Sequence, residues 1–139
     1  MRWEEGYTVS CLVDTDVCID FLREREYTRV LLSNWLNKGL LSVSTITHLE
    51  IFAGMRRDEE KDTRAFLDSL ITLPVDETIA RSAGDIIGRL RAKGITISPL
   101  DSLIAATAVF LNVPLITNNV SDYPAVDIPA LVVIKGIDK

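Results

Sequence analysis

Residues Thr8 to Leu22 read T-V-S-C-L-V-D-T-D-V-C-I-D-F-L. The first six, Thr8–Val13, are short, apolar and rich in β-branched side chains, which predicts a buried strand. The remainder predicts a helix that begins near Val17, with Thr15 or Asp16 as its cap. Asp14, Asp16 and Asp20 therefore stand inside an otherwise apolar run. A carboxylate is expensive to take out of water unless something pairs with it. Either these three cap and solvate local structure, or some of them hold a cation.

The strand-then-helix pattern repeats along the chain. Further strands are predicted at Leu40–Val43, Ile71–Leu73, Leu115–Thr117 and Leu131–Ile134. One helix covers Tyr27–Asn37 and stops before Gly39, and another runs from Thr45 to Arg57. The charged segment Arg56–Arg64, R-R-D-E-E-K-D-T-R, leads into a helix ending near Leu70 and marks a solvated face. Asp76–Lys93 is the clearest helix: Ile79, Ala83, Ile86, Ile87 and Leu90 share one stripe, and Gly94 ends it. Ser98-Pro99 opens the last helix, which reaches Leu111. Strands alternating with helices predict a parallel sheet covered on both faces, an α/β fold. In such sheets ligands gather beyond the carboxyl ends of the strands.

The 139 residues contain no internal repeat, linker or low-complexity segment, so residues 1–139 read as one domain. At 47% hydrophobic and 25% charged, the chain can build a real core. No apolar run approaches a bilayer span. The opening M-R-W-E-E-G-Y lacks the apolar segment of a secretory signal. Cys11 and Cys18 lie in the apolar stretch and read as small core residues, neither bridged nor metal-binding, which fits a reducing cytoplasm. The net charge is −5, 20 acids against 15 bases, which argues against a broad basic surface for nucleic acid. It does not argue against a nuclease, whose metal-binding carboxylates count toward the negative total. Ten of the bases are arginines, the side chain suited to gripping phosphate, although most belong on exposed helix faces.

Four segments deliver oxygen ligands to one expected edge of the sheet. Asp14 follows the first strand, Glu50 lies on the helix after Leu40–Val43, Asp101 lies in the first turn after Pro99, and Asn118, Asn119 and Asp122 follow Leu115–Thr117. Carboxylates gathered in a cleft repel, which raises their pKa values or demands a cation. Hard oxygen ligands suit Mg²⁺ or Mn²⁺. Each residue also has a plain structural role available. Asp14 and Asp16 can cap a helix, and Asp20 fits a solvated acid near a helix start. Thr47-His-Leu-Glu50 matches a capping box, yet Ile46, Leu49 and Ala53 form a stripe that begins before Thr47, which puts Thr47 inside the helix and Glu50 at the edge of its inward face. Ser98-Pro99-Leu100-Asp101 is ordinary helix-start chemistry. Asn118-Asn119 suits a turn. His48, the only histidine, belongs on a polar helix face and leaves no convincing catalytic triad.

The order V-D-T-D-V-C-I-D, S-x-x-T-x-x-E-I-F from Ser44 to Phe52, P-L-D-S-L-I-A-A-T-A and L-I-T-N-N resembles the PIN-domain ribonucleases, and most of all the compact VapC-type toxins of prokaryotic toxin–antitoxin pairs. The resemblance spans about Thr8 to Val133. It implies a three-layer α/β/α sandwich around a parallel sheet. It also implies a Mg²⁺- or Mn²⁺-dependent endoribonuclease that cleaves phosphodiester bonds with a metal-activated water, works as a homodimer and is blocked by a cognate antitoxin. By position, Asp14, Glu50 and Asp101 match the family's core acids: Asp14 and Asp101 would bind the metal directly, with Glu50 as a third metal ligand or a holder of its water shell. Thr15 and Asp16 match its usual Thr-Asn pair, and Thr117 its threonine near the fourth site. Thr15, Asp16, Thr47 and Thr117 would support the ligands from behind. This chain departs from the family in having Asp16 where Asn is usual and Asn119 where many members carry an acid, so Asn119 or Asp122 would complete the catalytic set. Residues 1–7 read as an extension before the first strand. Arg56 and Arg57 are candidates for touching substrate phosphates, against a competing role as a solvated helix end.

Two other functions compete. The D-T-D after an apolar strand also resembles the haloacid-dehalogenase phosphatases, but Lys93 is poorly placed for their lysine and Asn118-Asn119 is not an acidic pair. A catalytically weak PIN module that only binds RNA or protein is favoured slightly by Asn119 and opposed by the intact Asp14, Glu50 and Asp101.

Overall fold

In the computed structural model, which describes residues 8–136, β1 (Val9–Val13) leads through Asp14 into α1 (Thr15–Leu22). Next along the chain are α2 (Glu26–Leu36), β2 (Leu40–Ser44), α3 (Thr45–Gly54), α4 (Glu60–Asp68), β3 (Ile71–Leu73), α5 (Glu77–Ala92), α6 (Pro99–Leu111), β4 (Leu115–Thr117) and β5 (Val133–Lys135). The extension expected at residues 1–7 lies outside the described residues.

The five strands form one sheet in the order β3-β2-β1-β4-β5, every neighbouring pair parallel. The alternation of strand side chains feeds two cores. Val9, Leu12 and Leu115 join Ile79, Ala83, Ile86 and Leu90 of α5 and Ile104, Ala105 and Leu111 of α6 on one face. Cys11, Val13, Val43 and Ile116 join Val17 and Cys18 of α1, Leu32 of α2 and Leu67 of α4 on the other. This is the expected α/β/α sandwich. Both cysteines are buried and unbridged. Among the described residues no helix is long and apolar enough to cross a membrane.

The topology also fixes where a site belongs. The chain winds outward from β1 to β2 and β3, then returns to build β4 and β5 on β1's other side. The order reverses between β1 and β4, and the crevice outside their carboxyl ends is where an open α/β sheet takes its ligand. Register pairs Val13 with Ile116, so Asp14 and Thr117 emerge side by side at that point.

Local boundaries differ from expectation in instructive ways. α1 begins at Thr15 and not near Val17, and Asp14 itself is the cap: its φ of −72° and ψ of 158° are extended and its carboxylate accepts from the Thr15 N–H. Ser44 caps α3 by accepting from the Ile46 N–H at 3.0 Å, so Thr47 is inside the helix and Glu50 is no capping-box partner. The inward face of α3 is Thr47 and Ile51; Leu49, placed on the inward stripe, is 57% exposed, and Ala53 is exposed as well. α3 also stops at Gly54. Met55 and Arg56 turn extended, and the Glu59 carboxylate draws the Arg56 N–H into a 3₁₀ turn at 2.7 Å. β5 begins at Val133, two residues later than predicted, because Leu131 is spent in the preceding turn, where its N–H bonds to Ile128.

Candidate active site

Asp14 is the hub. It is 6% exposed, and three donors hold its carboxylate: the Thr15 N–H on Oδ1 at 2.8 Å, and the hydroxyls of Thr117 at 2.8 Å and Tyr123 at 3.1 Å on Oδ2. Burial, and then the neighbouring Asp16 charge, pushes its carboxyl up to about 7 despite those donors. A group in that position is only partly ionised near neutral pH and gains from any cation that supports its charged form.

Glu50 reaches the same edge from α3. The Thr15 hydroxyl donates to Glu50 Oε1 at 2.7 Å and lies 3.0 Å from the Thr47 hydroxyl. A hydroxyl has a single proton to give. Thr15 gives its own to Glu50, so Thr47 must donate to Thr15, and the two buried threonines form a one-way chain toward the acid. Asp101 comes from the opposite layer. Ser98 Oγ accepts the Asp101 N–H at 3.1 Å, fixing the first turn of α6, and Pro99 fits the position where no N–H is required. The Tyr123 hydroxyl is 3.4 Å from Asp101 Oδ1 and so stands between Asp101 and Asp14. Burial raises the Asp101 carboxyl, opposed by Ser98 and reinforced by the charge of Asp122.

Asp16 lies within the first turn of α1. Its Oδ2 accepts the Asn118 N–H at 3.0 Å and lies 3.4 Å from the Thr117 hydroxyl oxygen, whose single proton goes to Asp14, while its buried Oδ1 has no hydrogen-bond partner. Burial raises its pKa also. Asp20, expected to be a solvated acid, instead accepts from the Asn118 side-chain amide at 2.9 Å and is only partly exposed. Asn118 thus clamps α1 to the end of β4, a role beyond the turn former expected of it.

The structure therefore brings together Asp14, Glu50, Asp101, Thr15, Asp16, Thr47 and Thr117. It leaves Asn119 and Asp122 exposed at the rim. Asn119 contributes its backbone N–H to the Thr117 hydroxyl at 3.1 Å, and Asp122 acts on Asp101 through its charge. Arg56 and Arg57 lie past the end of α3, and Arg56 is engaged at 3.4 Å and 3.5 Å by Asp58 and Glu59. A cavity of about 220 Å³ beside Glu50 is lined instead by Arg23, with Ile19, Leu22, Met55 and Glu59 among its walls. His48 ties α3 to β3 through Thr72 Oγ1 at 2.9 Å, and Lys93 pairs with Asp127 at 3.1 Å, so neither serves the site. Neither Tyr123 nor Arg23 is singled out by the sequence. The one trace of Tyr123 is an aromatic in the polar stretch N-N-V-S-D-Y-P, and nothing marks Arg23 out from nine other arginines.

Among the described residues no three His, Cys, Asp or Glu side chains stand close enough to make a ready-made metal cage. Hydroxyls join the acids instead. The donor set is nonetheless all hard oxygen, two of its carboxyls are pushed up by burial, and Asp16 Oδ1 is an orphaned buried acceptor. That chemistry fits a small divalent cation and no softer metal.

Comparison with known proteins identifies the family and the fold. The model of the PIN domain family matches residues 11–127. Ribonuclease VapC19 of Mycobacterium tuberculosis is 35% identical over 114 residues, 81% of this chain and 91% of the relative. Ribonuclease VapC10 of the same organism is 38% identical over 113 residues, 81% of this chain and 85% of its own. A solved DNA-bound VapBC from Salmonella typhimurium superposes with a TM-score of 0.82 over 94% of this chain and all of that one, at 24% identity, and shares the fold. The chain belongs to the PIN domain family.

Proposed function

We propose that Asp14, Glu50 and Asp101 hold a Mg²⁺ or Mn²⁺ ion with which this PIN-domain ribonuclease hydrolyses RNA, as the toxin of a toxin–antitoxin pair. The observation that carries the site assignment is Asp14 itself: a buried carboxylate at the sheet's switch point, linked to Asp101 through the Tyr123 hydroxyl and to Glu50 through Thr15, whose N–H bonds Asp14 and whose hydroxyl bonds Glu50. A cation there would supply Lewis acidity toward the phosphate and acidify a water ligand. The chain's residues do the holding. Thr117 and the Thr15 N–H orient Asp14, the Thr47–Thr15 chain aims Glu50, and Ser98 sets Asp101. Asp16 anchors the end of β4, and Asn119 and Asp122 flank the entrance. Arg23, on the cavity wall, is better placed than Arg56 or Arg57 to meet a substrate phosphate.

The partner is a cognate antitoxin. An apolar groove of about 440 Å³ between α2 and α4, lined by Phe21, Leu32, Leu36, Phe66 and Leu70, suits an apolar segment of such a protein, with Arg29 at its edge for an acidic side chain. A homodimer goes with the same reading, and sedimentation of the isolated chain tests it.

Calorimetric titration of Mn²⁺ into wild type and Asp14→Asn, paired with an RNA cleavage assay, tests the site. Binding and cleavage by wild type, both lost in a variant whose circular dichroism is unchanged, is the expected result. Equal binding by the two proteins, or cleavage by Asp14→Asn, overturns it. Binding by wild type without cleavage of any RNA would favour a module that binds RNA or protein, the reading to which Asn119 lends some support.

A further inference from the structure

We propose that Tyr123 is a positioning residue that sets how Asp14 meets its cation and thereby selects a small ion over a larger one. The proposal rests on a cation at Asp14, Glu50 and Asp101 and extends that site to a residue outside the acid set.

The geometry is specific. A carboxylate offers about four lone-pair sites, two on each oxygen. On Asp14 Oδ2 both are filled, by the hydroxyls of Thr117 at 2.8 Å and Tyr123 at 3.1 Å. On Oδ1 the Thr15 N–H at 2.8 Å takes one and leaves one. Asp14 can therefore offer a cation a single point of attachment, on Oδ1. Tyr123 is not free to withdraw. Its side chain is 2% exposed, it packs in the core formed by α5 and α6, and its backbone is pinned by the Val120 carbonyl at 3.0 Å and by the Ala125 N–H at 2.7 Å. The same hydroxyl reaches Asp101 Oδ1 at 3.4 Å, so one rigid group spaces the two acids.

One-point attachment discriminates between cations. Mg²⁺ and Mn²⁺ accept near-octahedral sites with single carboxylate oxygens, whereas Ca²⁺ gathers six to eight oxygens and uses two-point carboxylates freely. Filling Oδ2 with two hydroxyls denies Asp14 to Ca²⁺ in that second mode. Removing the phenol oxygen would open a second site and also take a donor from Asp14, which weakens its hold on a small ion.

Tyr123→Phe keeps the ring and deletes only the oxygen. Mn²⁺ alone and Ca²⁺ alone, as chlorides, are titrated calorimetrically into wild type and variant, with folding checked by circular dichroism. Mn²⁺ affinity is expected to fall about 10-fold, the usual size of such an effect, with Ca²⁺ affinity unchanged or raised. Thr117→Val strips the other donor from the same oxygen and is expected to move the Mn²⁺-to-Ca²⁺ ratio the same way, so it carries the comparison should Tyr123→Phe fail to fold. A ratio equal to wild type, whether both affinities hold or both fall together, overturns the proposal and reduces Tyr123 to structural support. Wild type that binds neither ion overturns it along with the cation site on which it stands.

Discussion

Asp14 shows how far one residue can be read in isolation. Its place after an apolar strand is visible in the sequence, whereas its charge state depends on what closes over it. A carboxyl ordinarily titrates near 4, and here it is pushed up to about 7 by burial and by Asp16. A group whose pKa rises on folding binds its proton more tightly in the folded state, so its stabilising contribution is full below about pH 4 and is lost as the pH climbs toward about 7. In EDTA, wild type is therefore expected to lose melting temperature between about pH 5 and pH 7.5 more steeply than Asp14→Asn, which has no such proton to lose. Scanning calorimetry of both proteins across that range checks it, and parallel curves would refute it. Tyr123 is the contrasting residue. Its hydroxyl meets Asp14 across 109 positions of sequence and Asp101 across 22, and no local pattern signals either contact.

At the scale of elements, the start of α6 was the most legible part of the site. Ser98, Pro99 and Asp101 are helix-start residues by their own chemistry, and the structure uses them so. Ser98→Ala deletes the acceptor of the Asp101 N–H at 3.1 Å and should cost about 1 kcal/mol in urea unfolding. Because that turn also aims the Asp101 carboxylate, the same variant should bind Mn²⁺ more weakly in the titration. An unchanged affinity would separate the cap from the site. The end of α3 was the least legible. Thr45 to Arg57 carries no proline, and no strong breaker marks Gly54 as the stop. The helix ends there because Glu59 competes for the Arg56 N–H, a contact made only once the adjoining 3₁₀ turn has formed. That early end is what moves Arg56 and Arg57 away from Glu50.

The molecule as a whole joins the site to its stability. Asp14 directly follows the central strand, Glu50 lies on α3 and Asp101 on α6 in the opposite layer, so a bound cation would tie three parts of the fold at once. A ligand that binds only the folded form stabilises it by mass action, about 2.7 kcal/mol at a hundredfold excess over its Kd. Mn²⁺ is expected to raise the melting temperature of wild type and to leave that of Asp14→Asn unmoved, and a shift of equal size in both would place the ion elsewhere. The sequence by itself determined the alternation of strands and helices, the parallel sheet and the segments that carry Asp14, Glu50 and Asp101, because apolar periodicity and cap chemistry act over neighbouring residues. Tertiary structure alone decided that the Tyr123 hydroxyl spans Asp14 and Asp101, that Asp20 bonds to Asn118, and that Arg23 lines the cavity. Those contacts depend on strand order and register, which bring distant residues within hydrogen-bond reach and leave no mark on the residues beside them.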